Sequence, residues 1–257
     1  MFASGKHAPW LTAIGVLFLL GALTLPPVLP LLGGTSDLLA VGGSTTEYYA
    51  EFRDIDGADQ TVRVLLHLPA GASRRQPLPV LVALHGYGGN GEEFSRPLLE
   101  ASDRLGWALV APTIAYRDWQ NPTEVCLDSR YDLPGLRAVL DELPNRTGLS
   151  FHPRALLYGF SRGAQYAHRF ALAYPEMVAG VAAISAGTYT LPQTTWRDPD
   201  GGSVTLNLPY GVADLANYTG RPFRLEPLRQ VHFWVAVGGS DSQEKDVPRD
   251  WDRYIGD

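Results

Sequence analysis

Two short glycine-bearing stretches hold the residues that could do chemistry. The first, Tyr158-Gly159-Phe160-Ser161-Arg162-Gly163-Ala164, spells G-x-S-x-G. It falls between a short apolar, strand-like segment and a helix-like one. A serine so placed suits a sharp, strained turn that lifts its hydroxyl clear of the chain, and side chains at Gly159 and Gly163 would collide with the neighbouring strand and helix. A helix starting after Ser161 would aim free amides and the positive end of its dipole at the hydroxyl. That is the setting of a nucleophile; the bland alternative is an ordinary strand–helix turn. The second stretch, Leu84-His85-Gly86-Tyr87-Gly88-Gly89-Asn90, closes the apolar run 78–84. Glycines there leave backbone amides uncovered, ready for negative charge developing on an oxygen. The amide of Tyr87 is the candidate donor, with that of Arg162 as its partner. A phosphate cradle would want Lys-Ser/Thr after the glycines, and none follows.

Positioning these groups requires a sheet. Residues 45–53 and 61–68 read as a β-hairpin with Asp56-Gly57 at the turn. The continuous apolar runs at 78–84, 107–111, 155–158, 178–184 and 231–237 read as strands, the first of them buried on both faces. Residues 90–105, 133–143 (stopped by Pro144) and 162–174 read as helices. Strand–helix alternation of this kind implies an α/β fold: a mostly parallel sheet with helices on both faces, and a site at the carboxyl ends of its strands. A Pro/Gly/Thr-rich insertion, 187–228, interrupts the alternation. Its aromatics Tyr189, Trp196, Tyr210, Tyr218 and Phe223 either roof the pocket or pack onto the body. Tyr116 and Trp119 are candidates for the other wall.

Together the two motifs resemble the α/β-hydrolase fold family, and more narrowly its secreted esterase branch of polyhydroxybutyrate-depolymerase-like and feruloyl-esterase-like proteins. The resemblance covers residues 45–257. It implies a serine hydrolase that cleaves carboxylic esters through an acyl-enzyme, with Ser161 as nucleophile, the Tyr87 and Arg162 amides as oxyanion hole, and no metal or organic cofactor. On this fold the triad runs Ser, acid, His. Gly238-Gly239-Ser240-Asp241 follows the strand 231–237 and makes Asp241 the expected acid, with Asp246 as the alternative. The base departs from the pattern, because no histidine follows His232. His85 is expected to brace its loop, His168 to face away two turns down the helix, His152 and His232 to sit at the opposite edge of the sheet, and His67 to lie on an antiparallel strand. The expectation is that the sheet lacks its last strand and helices, and that the base lies beyond Asp257. Rival readings are a serine peptidase or thioesterase on the same fold, and a non-catalytic, membrane-tethered binding protein.

Composition narrows the partners. The 257 residues carry 45% hydrophobic side chains and a net charge of −6. The 21 Lys and Arg residues form no cluster, so a nucleic-acid partner is not expected. The single cysteine, Cys126, excludes an intramolecular disulfide and reads as a half-buried filler. Residues 10–25 are almost wholly apolar and are closed by Pro26, Pro27 and Pro30. Residues 1–32 are therefore expected to be an uncleaved anchor or a cleaved signal, and 33–44 a flexible tether. Either of these puts the domain outside the cytoplasm, facing a small-molecule or polymeric ester, with membrane contact only through the N-terminal segment, whereas the third reading, a buried core helix, does not.

Overall fold

A computed structural model describes residues 43–197 and 201–240. Residues 1–42, and with them the expected anchor and most of the tether, lie outside it, as does Asp241. Nine strands and seven helices run in chain order through the described residues. The strands are β1 (Ser44–Arg53), β2 (Asp59–Leu68), β3 (Val80–Leu84), β4 (Ala108–Thr113), β5 (Ala155–Phe160), β6 (Val178–Ile184), β7 (Thr195–Arg197), β8 (Ser203–Thr205) and β9 (His232–Ala236). The helices are α1 (Gly91–Ser95), α2 (Leu99–Leu105), α3 (Pro122–Tyr131), α4 (Leu133–Thr147), α5 (Arg162–Ala173), α6 (Leu215–Thr219) and α7 (Leu225–Leu228).

Seven strands form one sheet in the order β1-β2-β4-β3-β5-β6-β9, while β7 and β8 make a separate two-stranded ribbon. Only β2 runs against the rest. The order doubles back at β3, so consecutive crossovers lay helices on opposite faces. One face carries the larger core, where Val64, Val82, Leu157 and Val181 pack beneath residues of α4 and α5 such as Leu136, Val139, Ala167 and Phe170. The other face buries Leu81, Ala83, Leu109 and Tyr158 against Phe94, Leu98 and Leu99. β3 has every side chain buried, as its unbroken apolar run implies.

Three elements differ from the sequence reading, each for a local reason, and a fourth is decided between two readings. The expected helix 90–105 is broken: Pro97 sits in a 3-10 turn, Arg96–Leu98, between α1 and α2. α4 runs through Pro144 rather than stopping there, because the proline lies in the last turn and Gly148, in the left-handed region, closes the helix with an N–H donated to the Pro144 carbonyl. α3 was not expected at all, although Asn121 caps it by accepting from the Thr123 amide and Pro122 opens it. For the insertion, the second of its two readings, packing onto the body, holds. Its Leu206, Tyr210, Val212 and Leu215 are buried, and Tyr189, Tyr218 and Phe223 pack onto the main core, which assigns those aromatics to packing. No helix among the described residues is long and apolar enough to cross a membrane.

Candidate active site at the carboxyl ends of β3, β5 and β6

Ser161 stands between β5 and α5 with φ 53° and ψ −116°. A positive φ at a residue with a β-carbon costs about 1–3 kcal/mol and persists only where the surroundings impose it. Here they do. The Ser161 amide donates to the Ile184 carbonyl of β6 at 2.8 Å, while its own carbonyl accepts from Ala164 and Gln165 in the first turn of α5. A β-carbon added at Gly163 would overlap the Leu84 and His85 carbonyls, and one at Gly159 would overlap Gly163 itself. The two glycines thus let α5 start directly against the end of β3. With α5 packed there, the backbone at Ser161 has no relaxed alternative.

The second motif lies alongside. A β-carbon added at Gly86 would come 3.6 Å from the Ser161 β-carbon and 3.5 Å from the Phe160 ring. The loop is anchored at both ends. Asn90 caps α1 by accepting from the Glu93 amide, and Gly91 donates to the Thr113 hydroxyl at the end of β4. His85 braces the interior: Nδ1 donates to the Gly86 carbonyl at 2.7 Å and Nε2 accepts from the Ile114 amide at 2.9 Å. Since the carbonyl can only accept and the amide only donate, the ring is neutral with its proton on Nδ1. Burial holds its pKa below the usual histidine range. Tyr87, 55% exposed, and Phe160, 41% exposed, flank the serine.

Beneath this surface lies a charged layer that the sequence did not announce. The Arg162 guanidinium is buried, paired with the buried carboxylate of Asp128 on α3 and with Gln165 one turn along α5. Asp128 is held from its other side by Arg117, through side chain and amide, and Arg117 also binds Asp132 at 2.8 Å. Tyr116, expected to line a wall, is buried instead between His85, Tyr166 and Arg162. Asp128 escaped sequence reading because 34 residues separate it from Arg162; the Asn-Pro start of α3 was the one local signal for its helix.

None of the described histidines is free to serve Ser161. His168 gives Nδ1 to the Ala164 carbonyl and takes the Thr190 amide on Nε2, and burial pushes its pKa down to about 3. His67, on the antiparallel strand β2, lies between the Thr45 hydroxyl and Asp103. His152 and His232 sit at the amino ends of β5 and β9, away from the nucleophile turn. Cys126 is fully rather than half buried, and burial pushes its thiol up to about 12, which removes it as a rival nucleophile. Sheet order places β9 two strands from β5 and parallel to it, so residues 237–240 leave the same rim of the sheet as Ser161, while Asp241 lies outside the described residues.

Comparison with known proteins agrees with this architecture. Residues 79–229 match the family model for the alpha/beta hydrolase fold. NocK of Nocardia uniformis subsp. tsuyamanensis, described as a candidate esterase, is 34% identical over 169 residues; the match takes in 63% of this chain, which spans about half (48%) of that protein. Among solved structures, poly(aspartic acid) hydrolase-1 from Sphingomonas sp. KT-1 superposes with a TM-score of 0.56 at 18% identity, over 80% of this chain and 74% of that one. LpqC, a poly(3-hydroxybutyrate) depolymerase from Bordetella parapertussis, gives 0.50 at 20% identity, over 77% and 83%. With β2 antiparallel, the sheet doubling back at β3, and a serine strained between β5 and α5, the chain belongs to the α/β-hydrolase fold family.

Proposed function

We propose that this chain is a serine esterase that works through an acyl-enzyme. The observation that carries the reading is the backbone of Ser161, a non-glycine residue held at φ 53° where a glycine-rich loop passes its β-carbon. A strained conformation that packing enforces at the head of a helix is explained by the need to present a hydroxyl. The Ser161 oxygen would attack the ester carbonyl, its proton passing to an imidazole. The carbonyl oxygen would become an oxyanion between the Tyr87 and Arg162 amides; the alcohol would leave, and water would then release the acid. Asp241 would orient the imidazole and stabilise its cation. No described histidine can take that role, so these residues supply the nucleophile and the oxyanion hole, and the base comes from outside them. Tyr87 and Phe160, both aromatic and exposed at the rim, suit an ester with an apolar acyl or aryl group. The apolar stretch at residues 10–25 supports an extracytoplasmic setting, by anchor or by signal.

Hydrolysis of p-nitrophenyl acetate, taken as the difference between this chain and its Ser161→Ala variant, tests the proposal. Expected is a small Ser161-dependent rate that rises when free imidazole is supplied, because an alcohol without a base is a weak nucleophile at neutral pH. No Ser161-dependent rate at any imidazole concentration would defeat the esterase reading. Faster turnover of a matched amide or thioester would move the chain to the peptidase or thioesterase class.

A further inference from the structure

We infer that the interior behind the nucleophile turn holds a binding site for a small monovalent anion, of chloride or bromide size, with Arg169 as its anchor. Arg169 is only 1% exposed, yet its two terminal nitrogens, Nη1 and Nη2, have no hydrogen-bond partner. An unpaired guanidinium in the interior is costly unless something accepts from it. The surroundings share the deficit. The Arg162 Nε and the hydroxyls of Tyr116 and Ser129 are buried without partners too.

These groups lie together. Arg162 and Arg169 are two turns apart on one side of α5, about 10 Å by helical rise. The Arg162 guanidinium stands 5.8 Å from the centre of the Tyr116 ring. Arg169 interacts electrostatically with Arg162, Asp128, Cys126 and Tyr116. Ser129 lies one turn beyond Cys126 on α3, the same side of that helix. The orphaned atoms are guanidinium nitrogens, which can only donate, and hydroxyls, which can donate. What satisfies them must therefore accept. Charge points the same way: Asp128 and Asp132 are already taken by Arg162 and Arg117, and Asp214, the other carboxylate near Cys126, accepts from the Leu208 amide, so no neighbouring carboxylate is bonded to the Arg169 terminal nitrogens. One small monoanion would accept from the Arg169 terminal nitrogens and supply the counter-charge they lack. Burial and the Arg162 charge together push the Arg169 guanidinium down to about 9, the state that a bound anion would relieve. The site is independent of whether Ser161 acts on esters.

Thermal unfolding of the full chain in sodium chloride or bromide, against sodium gluconate at equal ionic strength, reads the site directly. Gluconate is a much larger anion than either halide. Expected is a saturable rise in Tm of about 5 °C with either halide, absent in Arg169→Met. Equal melting in halide and gluconate, or a halide effect that survives in Arg169→Met, would overturn the proposal. Should that variant fail to fold, anomalous diffraction from a bromide soak of the unmodified chain decides. A peak within hydrogen-bond distance of the Arg169 Nη atoms supports the site, and water alone there overturns it.

Discussion

β5 and β9 lie two strands apart in one sheet and differ in almost every physical respect. Every side chain of β5 is buried except Phe160 at its end, whereas none of β9 is. β5 is paired on both sides and leads into a turn that a missing β-carbon at Gly163 makes possible. Among the described residues β9 pairs only with β6 and leaves Phe233, Val235 and neighbouring Val237 exposed. Tight packing at the centre is what holds Ser161 in its strained conformation, and the far edge carries no such burden. Substitutions at the two places should therefore differ steeply in cost.

The largest effect should come from Asp128→Ala, which leaves the Arg162 guanidinium buried and unpaired at a cost of about 3–5 kcal/mol. Urea unfolding measures it, and a loss under 1 kcal/mol would mean the pair is not what holds the centre together. Gly163→Ala should cost about 3 kcal/mol or more, because the colliding atoms are backbone carbonyls that cannot move aside. Next is pH. The folded state keeps His168 neutral with a pKa of about 3, against ~6.5 when unfolded, so between those values the unfolded chain binds more protons. Its contribution is complete above pH 6.5 and is lost on acidification at about 1.4 kcal/mol per pH unit. Burial and the nearby Asp128 push the Asp132 carboxyl up to about 6, which contributes the opposite slope between about pH 4 and 6. His168→Gln should remove only the histidine slope, which urea midpoints at pH 7 and 5 will separate. The smallest effect belongs to the edge. Phe233→Ser and Val235→Thr should change stability by no more than ~0.5 kcal/mol while lowering binding of a hydrophobic dye.

The same contrast explains what could be read in advance. The residues around Ser161 were legible because their constraints are local: Gly159 and Gly163 report a close approach, and the apolar run 78–84 reports a strand covered on both faces. The expected role of His85 followed from its place at the end of β3, and its two hydrogen bonds fit that role. Asp128 was not legible. A charged residue on an unremarkable helix acquires meaning only when the fold brings Arg162 against it across 34 residues of sequence. Tyr116 misleads for the converse reason, and Tyr210 stays open between roof and core, since an aromatic in a loop looks the same in sequence whether it faces a ligand or a core. Pro144 looks like a helix stop in sequence, although a proline in the last turn sacrifices little that the Gly148 cap does not restore.

We propose that packing at the centre of the sheet presents Ser161 as a nucleophile. Prolonged treatment of the chain with a fluorophosphonate, followed by peptide mass spectrometry, tests it most directly. Expected is a single slow adduct on Ser161, absent in Ser161→Ala and faster with added imidazole. An adduct on another side chain, or an unmodified Ser161 after exhaustive treatment with imidazole present, would contradict it.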